Sequence, residues 1–144
     1  MIAYFDSSAV VLLYVAERSS SAARAVRVAA ERVFVSYLAF AETHAVLARL
    51  RRRGVLSATE SDRARARFES DWRTFERMRV DARLLPEVRR AVRVHALTGG
   101  DAVHLATAAS VRRAAERASR QLLFACTDRR LAAAAVSDGM ALAL

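Results

Sequence analysis

"IAYFDSSAVV", residues 2–11, sets four apolar residues against an aspartate and two serines, and then turns apolar again. The first four read as a short buried strand, and the renewed apolar run reads as the start of a helix. In an open parallel sheet, ligands bind in the crevice outside the carboxyl ends of the strands. Asp6 therefore stands where a strand would deliver it to a ligand.

The same strand-then-helix pattern recurs along the chain. "VFVS" at 33–36 leads into a helix expected over about 38–53, with Gly54 as its C-terminal stop. "LLFACT" at 122–127 leads into the helical "RRLAAAAV", and "MALAL" at 140–144 closes the sequence as a last strand. This alternation predicts an α/β fold with a mainly parallel sheet and helices on both faces. Between the second and third of these strands the pattern reads as almost wholly helical. A helix over about 57–78 turns Ala64, Phe68, Trp72 and Phe75 inward, where core packing is expected rather than base stacking. Pro86 opens a helix reaching to Leu97, "TGG" at 98–100 breaks it, and another begins at about Asp101. With no linker or internal repeat in view, residues 1–144 are expected to form one domain.

Composition narrows the class of partner. The 144 residues are 54% hydrophobic and 27% charged, a globular profile. All 24 basic residues are arginine, against 15 acids, and the net charge of +9 favours a polyanionic partner such as nucleic acid, although arginine-rich usage also follows from a GC-rich genome. The single cysteine, Cys126, cannot form an internal disulfide, which suits a reducing cytoplasm. The apolar stretch "AVVLLYVA" is far shorter than the roughly 20 residues that span a bilayer and has no basic leader, so neither signal peptide nor membrane association is expected.

Three further acids join Asp6. Asp128 lies just past the third strand, at the same sheet edge. Glu42 lies early in the helix that follows "VFVS", on a face shared with Leu38, Ala45 and Val46. An ionised carboxylate on such an apolar stripe needs a cation, an arginine or a proton. Asp101 follows two glycines at a helix start; like Asp128, it also suits a plain N-cap role. Taken together, four acids at one rim repel one another unless something positive sits between them. An all-oxygen carboxylate set suits Mg²⁺ or Mn²⁺, which can activate a water and stabilise charge on a phosphodiester. Setting the four aside leaves 24 arginines against the rest of the 15 acids, and Arg49, Arg51, Arg52 and Arg53 offer one phosphate grip. Those cations also complement a helix C-terminus.

"YFDSSAVV" at 4–11, "AETHAVLARLRRRG" at 41–54, "LTGGDAVHLATA" at 97–108 and "TDRRLAAAA" at 127–135 together resemble the PIN-domain ribonucleases, most closely the VapC toxins of bacterial toxin–antitoxin pairs. The resemblance implies a three-layer α/β/α sandwich and a metal-dependent endoribonuclease whose catalytic and metal-holding quartet is Asp6, Glu42, Asp101 and Asp128. It gives Ser7, Ser8 and Thr127 supporting roles, and makes His104 a packing residue or one that orients a ligand. It also implies an RNA substrate, a Mg²⁺ or Mn²⁺ cofactor, a cognate antitoxin, a homodimer and a cytoplasmic setting. Some relatives carry another acid close after the last one, where Arg129 and Arg130 stand here, so one metal ion is expected rather than two.

Other readings compete with the toxin. Receiver domains and aspartyl phosphatases also put acids at strand ends, but they depend on a lysine that this chain lacks. The haloacid-dehalogenase pattern wants an aspartate where Ser8 stands. A catalytically silent PIN fold that binds RNA or protein, and a housekeeping RNA-processing nuclease without an antitoxin, remain as alternatives.

Overall fold

Residues 1–144 are described by a computed structural model. Five strands, β1 (Ile2–Phe5), β2 (Val33–Ser36), β3 (Glu76–Met78), β4 (Leu122–Ala125) and β5 (Ala141–Leu142), form one sheet in the order β3-β2-β1-β4-β5. Every neighbouring pair is parallel. Central β1 is buried along its whole length, as a strand covered on both faces must be. Ala3 and Phe5 point into one core with Val33, Val35, Leu47, Phe68 and Trp72. Ile2 and Tyr4 point into the other with Leu105, Phe124 and Leu131.

The first core is covered by α1 (Ser7–Val11), α2 (Ser20–Ala29), α3 (Leu38–Arg52) and α4 (Ala58–Asp71). The second is covered by α5 (Leu85–His95), α6 (Gly99–Arg117) and α7 (Arg129–Ser137). The α/β/α sandwich on a parallel sheet is therefore as expected. Gly54 ends α3 at φ +71°, the left-handed conformation a helix stop favours. A capping box between Ser57 and Glu60 starts α4.

Three local expectations are corrected. The helix expected to run to Met78 stops at Asp71; a 3₁₀ turn, Trp72–Thr74, follows, and Glu76–Met78 is a strand. The inward spacing of Phe68, Trp72 and Phe75 survives because the turn keeps both later rings in the core, so a helical period persists where the helix does not. The strand escapes notice because an edge strand of Glu-Arg-Met needs no apolar alternation; its backbone pairing to β2 holds it. The apolar run after Asp6 is a short helix and a turn rather than one continuous helix, and a separate α2 follows it. Finally, α6 begins two residues before Asp101, with Thr98 as its N-cap.

Candidate active site

The four acids named from the sequence line one cleft of about 350 Å³ at the carboxyl edge of the sheet, together with Ser7, Ser8, Arg49 and His104. Each arrives by a different route. Asp6 ends β1 and caps α1, accepting from the Ala9 N–H at 2.8 Å. Ser8 Oγ donates to Asp6 Oδ1 at 2.7 Å and accepts from the Thr127 N–H at 2.9 Å. The hydroxyl thus pins the loop after β4 to the acid at the end of β1. Thr127 enters through its backbone, its side chain lying outside the cleft lining.

Asp6 is 4% exposed. Burial raises its pKa to about 6, with the charge of Asp101 adding to the rise; hydrogen bonds from Ala9 and Ser8 and the His104 ring pull the other way. Glu42 is treated oppositely. Burial pushes it up, but hydrogen bonds with His104 and Ser7 outweigh that and hold its carboxyl below the usual range. Ser7 Oγ donates to Glu42 Oε2 and lies 3.0 Å from His104 Nε2. His104, 2% exposed, brings Nε2 to 2.8 Å from Glu42 Oε2 and Nδ1 to 3.0 Å from the Tyr4 hydroxyl. Burial lifts the Tyr4 pKa far above its ordinary value, so its hydroxyl keeps its proton. An ionised Glu42 only accepts, so the Nε2 that faces it carries a proton and donates.

Asp101 is the third residue of α6, and Thr98 Oγ donates to its carboxylate at 2.6 Å. The N-cap explanation for Asp101 fails, since Thr98 takes that place. For Asp128 it holds: its side chain accepts from the Leu131 N–H at 2.8 Å and caps α7. Glu42 shares a face with Leu38, Ala45 and Val46 as expected, but that face borders the cleft rather than the core. The buried positions of α3 are Ala39, Thr43 and Leu47, so Glu42 lies at the margin of the core, where Ala45 and Val46 wall the cleft beside it. Gly100 permits its position, because a Cβ there would come within 2.8 Å of Glu42 Oε1.

Of the four arginines expected to grip phosphate, only Arg49 reaches the cleft. Arg51 faces Asp62 at 3.9 Å, while Arg52 and Arg53 are exposed and outside the cleft lining. Sequence reasoning missed Tyr4 and Gly100. Tyr4 could have been flagged as a hydroxyl inside a strand with no polar face, and Gly100 as a glycine inside a helix that also holds a candidate acid.

In a chain of 24 arginines, none forms an ion pair with any of these four acids; only His104 pairs with Glu42. Asp6, Asp101 and Asp128, the first almost wholly buried, share a cleft with no arginine paired to them. That is a donor set suited to a hard divalent cation. No three His, Cys, Asp or Glu side chains stand as a ready-formed metal cluster. An ion here would be held by few carboxylates at a time and keep much of its water, the habit of Mg²⁺.

Comparison with known proteins adds a family to this geometry. The PIN domain model matches residues 3–137. The chain is 34% identical to ribonuclease VapC45 of Mycobacterium tuberculosis over 138 residues, covering 96% of this chain and 92% of that protein. Among solved structures it resembles FitAcB from Neisseria gonorrhoeae at TM-score 0.64 and 19% identity, covering 98% of this chain and 96% of that one. A toxin-antitoxin complex from Klebsiella pneumoniae gives TM-score 0.51 and 16% identity, covering 84% and 83%. These structural likenesses show a shared fold.

Proposed function

The chain belongs to the PIN-domain family, beside the VapC ribonucleases, and on that premise we propose that it is a Mg²⁺- or Mn²⁺-dependent endoribonuclease, the toxin of a toxin–antitoxin pair. One observation carries the metal: Asp6, Asp101 and Asp128 share a cleft with no arginine paired to them. Asp6 and Asp101 would hold the ion, with Glu42 and Asp128 at its sides. Bound there, it would neutralise charge on the scissile phosphodiester and activate a water for in-line attack.

The chain's own residues set the stage for that chemistry. Ser8 fixes the Asp6 carboxylate from one side and the Thr127 loop from the other. His104 and Ser7 keep Glu42 ionised at the pH of the cytoplasm, so it can accept a proton or a cation. Arg49 stands at the mouth of the cleft, where a phosphate of the substrate would meet it. An antitoxin segment presenting an arginine to the uncompensated acids would occupy the same place and silence the enzyme. We read residues 1–144 as one PIN domain acting as a homodimer in the cytoplasm.

Expression in a bacterial host tests the toxin assignment. Growth arrest with fragmented RNA, abolished by Asp6→Ala, is expected. RNA cleavage in vitro without arrest would instead favour a housekeeping RNA-processing nuclease, and RNA binding without cleavage a silent module.

A further inference from the structure

Because the sheet is parallel, the segments that leave successive strands line up along one rim. Asp6 follows β1, Tyr37 follows β2 and Arg79 follows β3, with β2 between the other two. Neighbouring strands lie about 4.8 Å apart, so the exit of β3 is roughly 10 Å from that of β1. The Tyr37 N–H donates to the Met78 carbonyl at 3.0 Å, which fixes the tyrosine beside the residue preceding Arg79. Tyr37 is 48% exposed, and its ring stands edge-on to Trp72.

Beside Tyr37 lie two hollows with lining residues in common. One, of about 460 Å³, is lined by Tyr37, Arg79, Val80 and Asp81. The other, of about 370 Å³, shares Arg79 and Asp81 and adds Arg77, Arg83 and Arg113, with the hydroxyls of Thr107 and Ser110 on α6. Asp81 is the one acid in either lining, and Arg83 already occupies it. Arg77 and Arg79 are exposed and make no ion pair, and Arg113 has only Glu87 at 3.9 Å. Unpaired arginines beside an exposed ring are what sequence-tolerant binding of a single strand uses: cations follow the backbone while bases stack.

We propose that single-stranded RNA runs from the acidic cleft across Tyr37 into the hollow of Arg77, Arg79 and Arg113. The inference rests on the ribonuclease reading and names the path of its substrate. The track lies on the rim opposite to Asp128, since β4 is on the other side of β1.

The test is anisotropy of a labelled, mixed-sequence single-stranded RNA with the full chain carrying Asp6→Asn, titrated at several salt concentrations. Cleavage by the chain without that change is assayed in parallel. Arg77→Ala with Arg79→Ala should lower the slope of log affinity against log salt by about 1.4, two phosphate contacts' worth. Tyr37→Ala should weaken binding about tenfold and Tyr37→Phe should restore it, since either ring stacks. Arg18→Ala with Arg24→Ala, which removes equal charge from exposed positions around the start of α2, outside both hollows, should leave the slope near its starting value. An unchanged slope in the Arg77/Arg79 variant, or an equal fall in the Arg18/Arg24 control, overturns the path. So does retained RNA binding with lost binding of an oligoglutamate peptide, which would assign the hollow to an acidic protein. If RNA is cut but binding ignores these residues, the path alone falls. If the variants lose binding as expected while RNA stays uncut, the path stands and the ribonuclease reading falls.

Discussion

His104 Nε2 donates to Glu42 Oε2 at 2.8 Å, and the ring's other nitrogen lies 3.0 Å from the Tyr4 hydroxyl. A fully buried tyrosine on the central strand thereby anchors the ring of a histidine that holds a cleft carboxylate. Removing the ring strands one buried polar group, Tyr4 Oη, and leaves Glu42 held by Ser7 Oγ alone, free to swing.

His104→Ala is therefore expected to cost about 1–3 kcal/mol for the stranded group in urea unfolding and to lower kcat by about tenfold or more. His104→Gln, which can still donate to Glu42, should recover part of kcat. Equal kcat in both variants and the parent chain would reduce His104 to a packing residue.

Asp6 predicts the pH dependence of stability in the metal-free protein. Its carboxyl is near 3.8 when unfolded and about 6 when folded, so between those values the unfolded chain loses its proton first. Stability therefore falls as pH rises through that window and levels off above it, by roughly 3 kcal/mol from this group alone. Asp6→Asn removes the dependence and should make the metal-free protein more stable at pH 7. Unfolding midpoints at pH 5 and pH 7 for both chains measure it.

Gly100→Ala tests the approach of α6 to Glu42. The new methyl would press on a carboxylate that can rotate away, so the fold should survive while Glu42 is displaced. The expected result is a thermal midpoint within a few degrees of the parent and at least tenfold slower cleavage, since an active-site shift of about 1 Å can cost that much. Gly99, with open space around it, is the control: Gly99→Ala should cleave normally.

At the basic end of α3, Arg49 lines the cleft and Arg53 does not. Arg49→Ala should raise KM for RNA several-fold with little effect on kcat, as loss of a phosphate contact does. Arg53→Ala should change neither, because its side chain is outside the cleft lining.

Much of this was legible in the sequence, for identifiable reasons. Strands covered on both faces carry dense apolar runs, so β1, β2 and β4 announced themselves, and the acids following them fell at the rim that a parallel sheet dictates. The edge strand β3 did not, because Glu76, Arg77 and Met78 form a strand through backbone pairing rather than through side-chain pattern. Glu42 was visible as an acid in want of a partner, but its partner, His104, lies 62 residues away and only folding brings them together. The arginine path was hidden for the same reason: Arg77 and Arg113 sit on different elements, and among 24 arginines no spacing singles them out.

The central claim is that the cleft of Asp6 and Asp101 holds a divalent cation that RNA cleavage requires. The most direct measurement is cleavage of total RNA by the purified chain in Mg²⁺, Mn²⁺ or EDTA, with Mn²⁺ binding followed by loss of the free-ion electron spin resonance signal, alongside folded Asp6→Asn and Asp101→Asn variants. Discrete fragments that require metal, with cleavage and Mn²⁺ binding lost together in both variants, are the predicted result. Cleavage that persists in EDTA, or variants that bind Mn²⁺ and cut as the parent does, would contradict it.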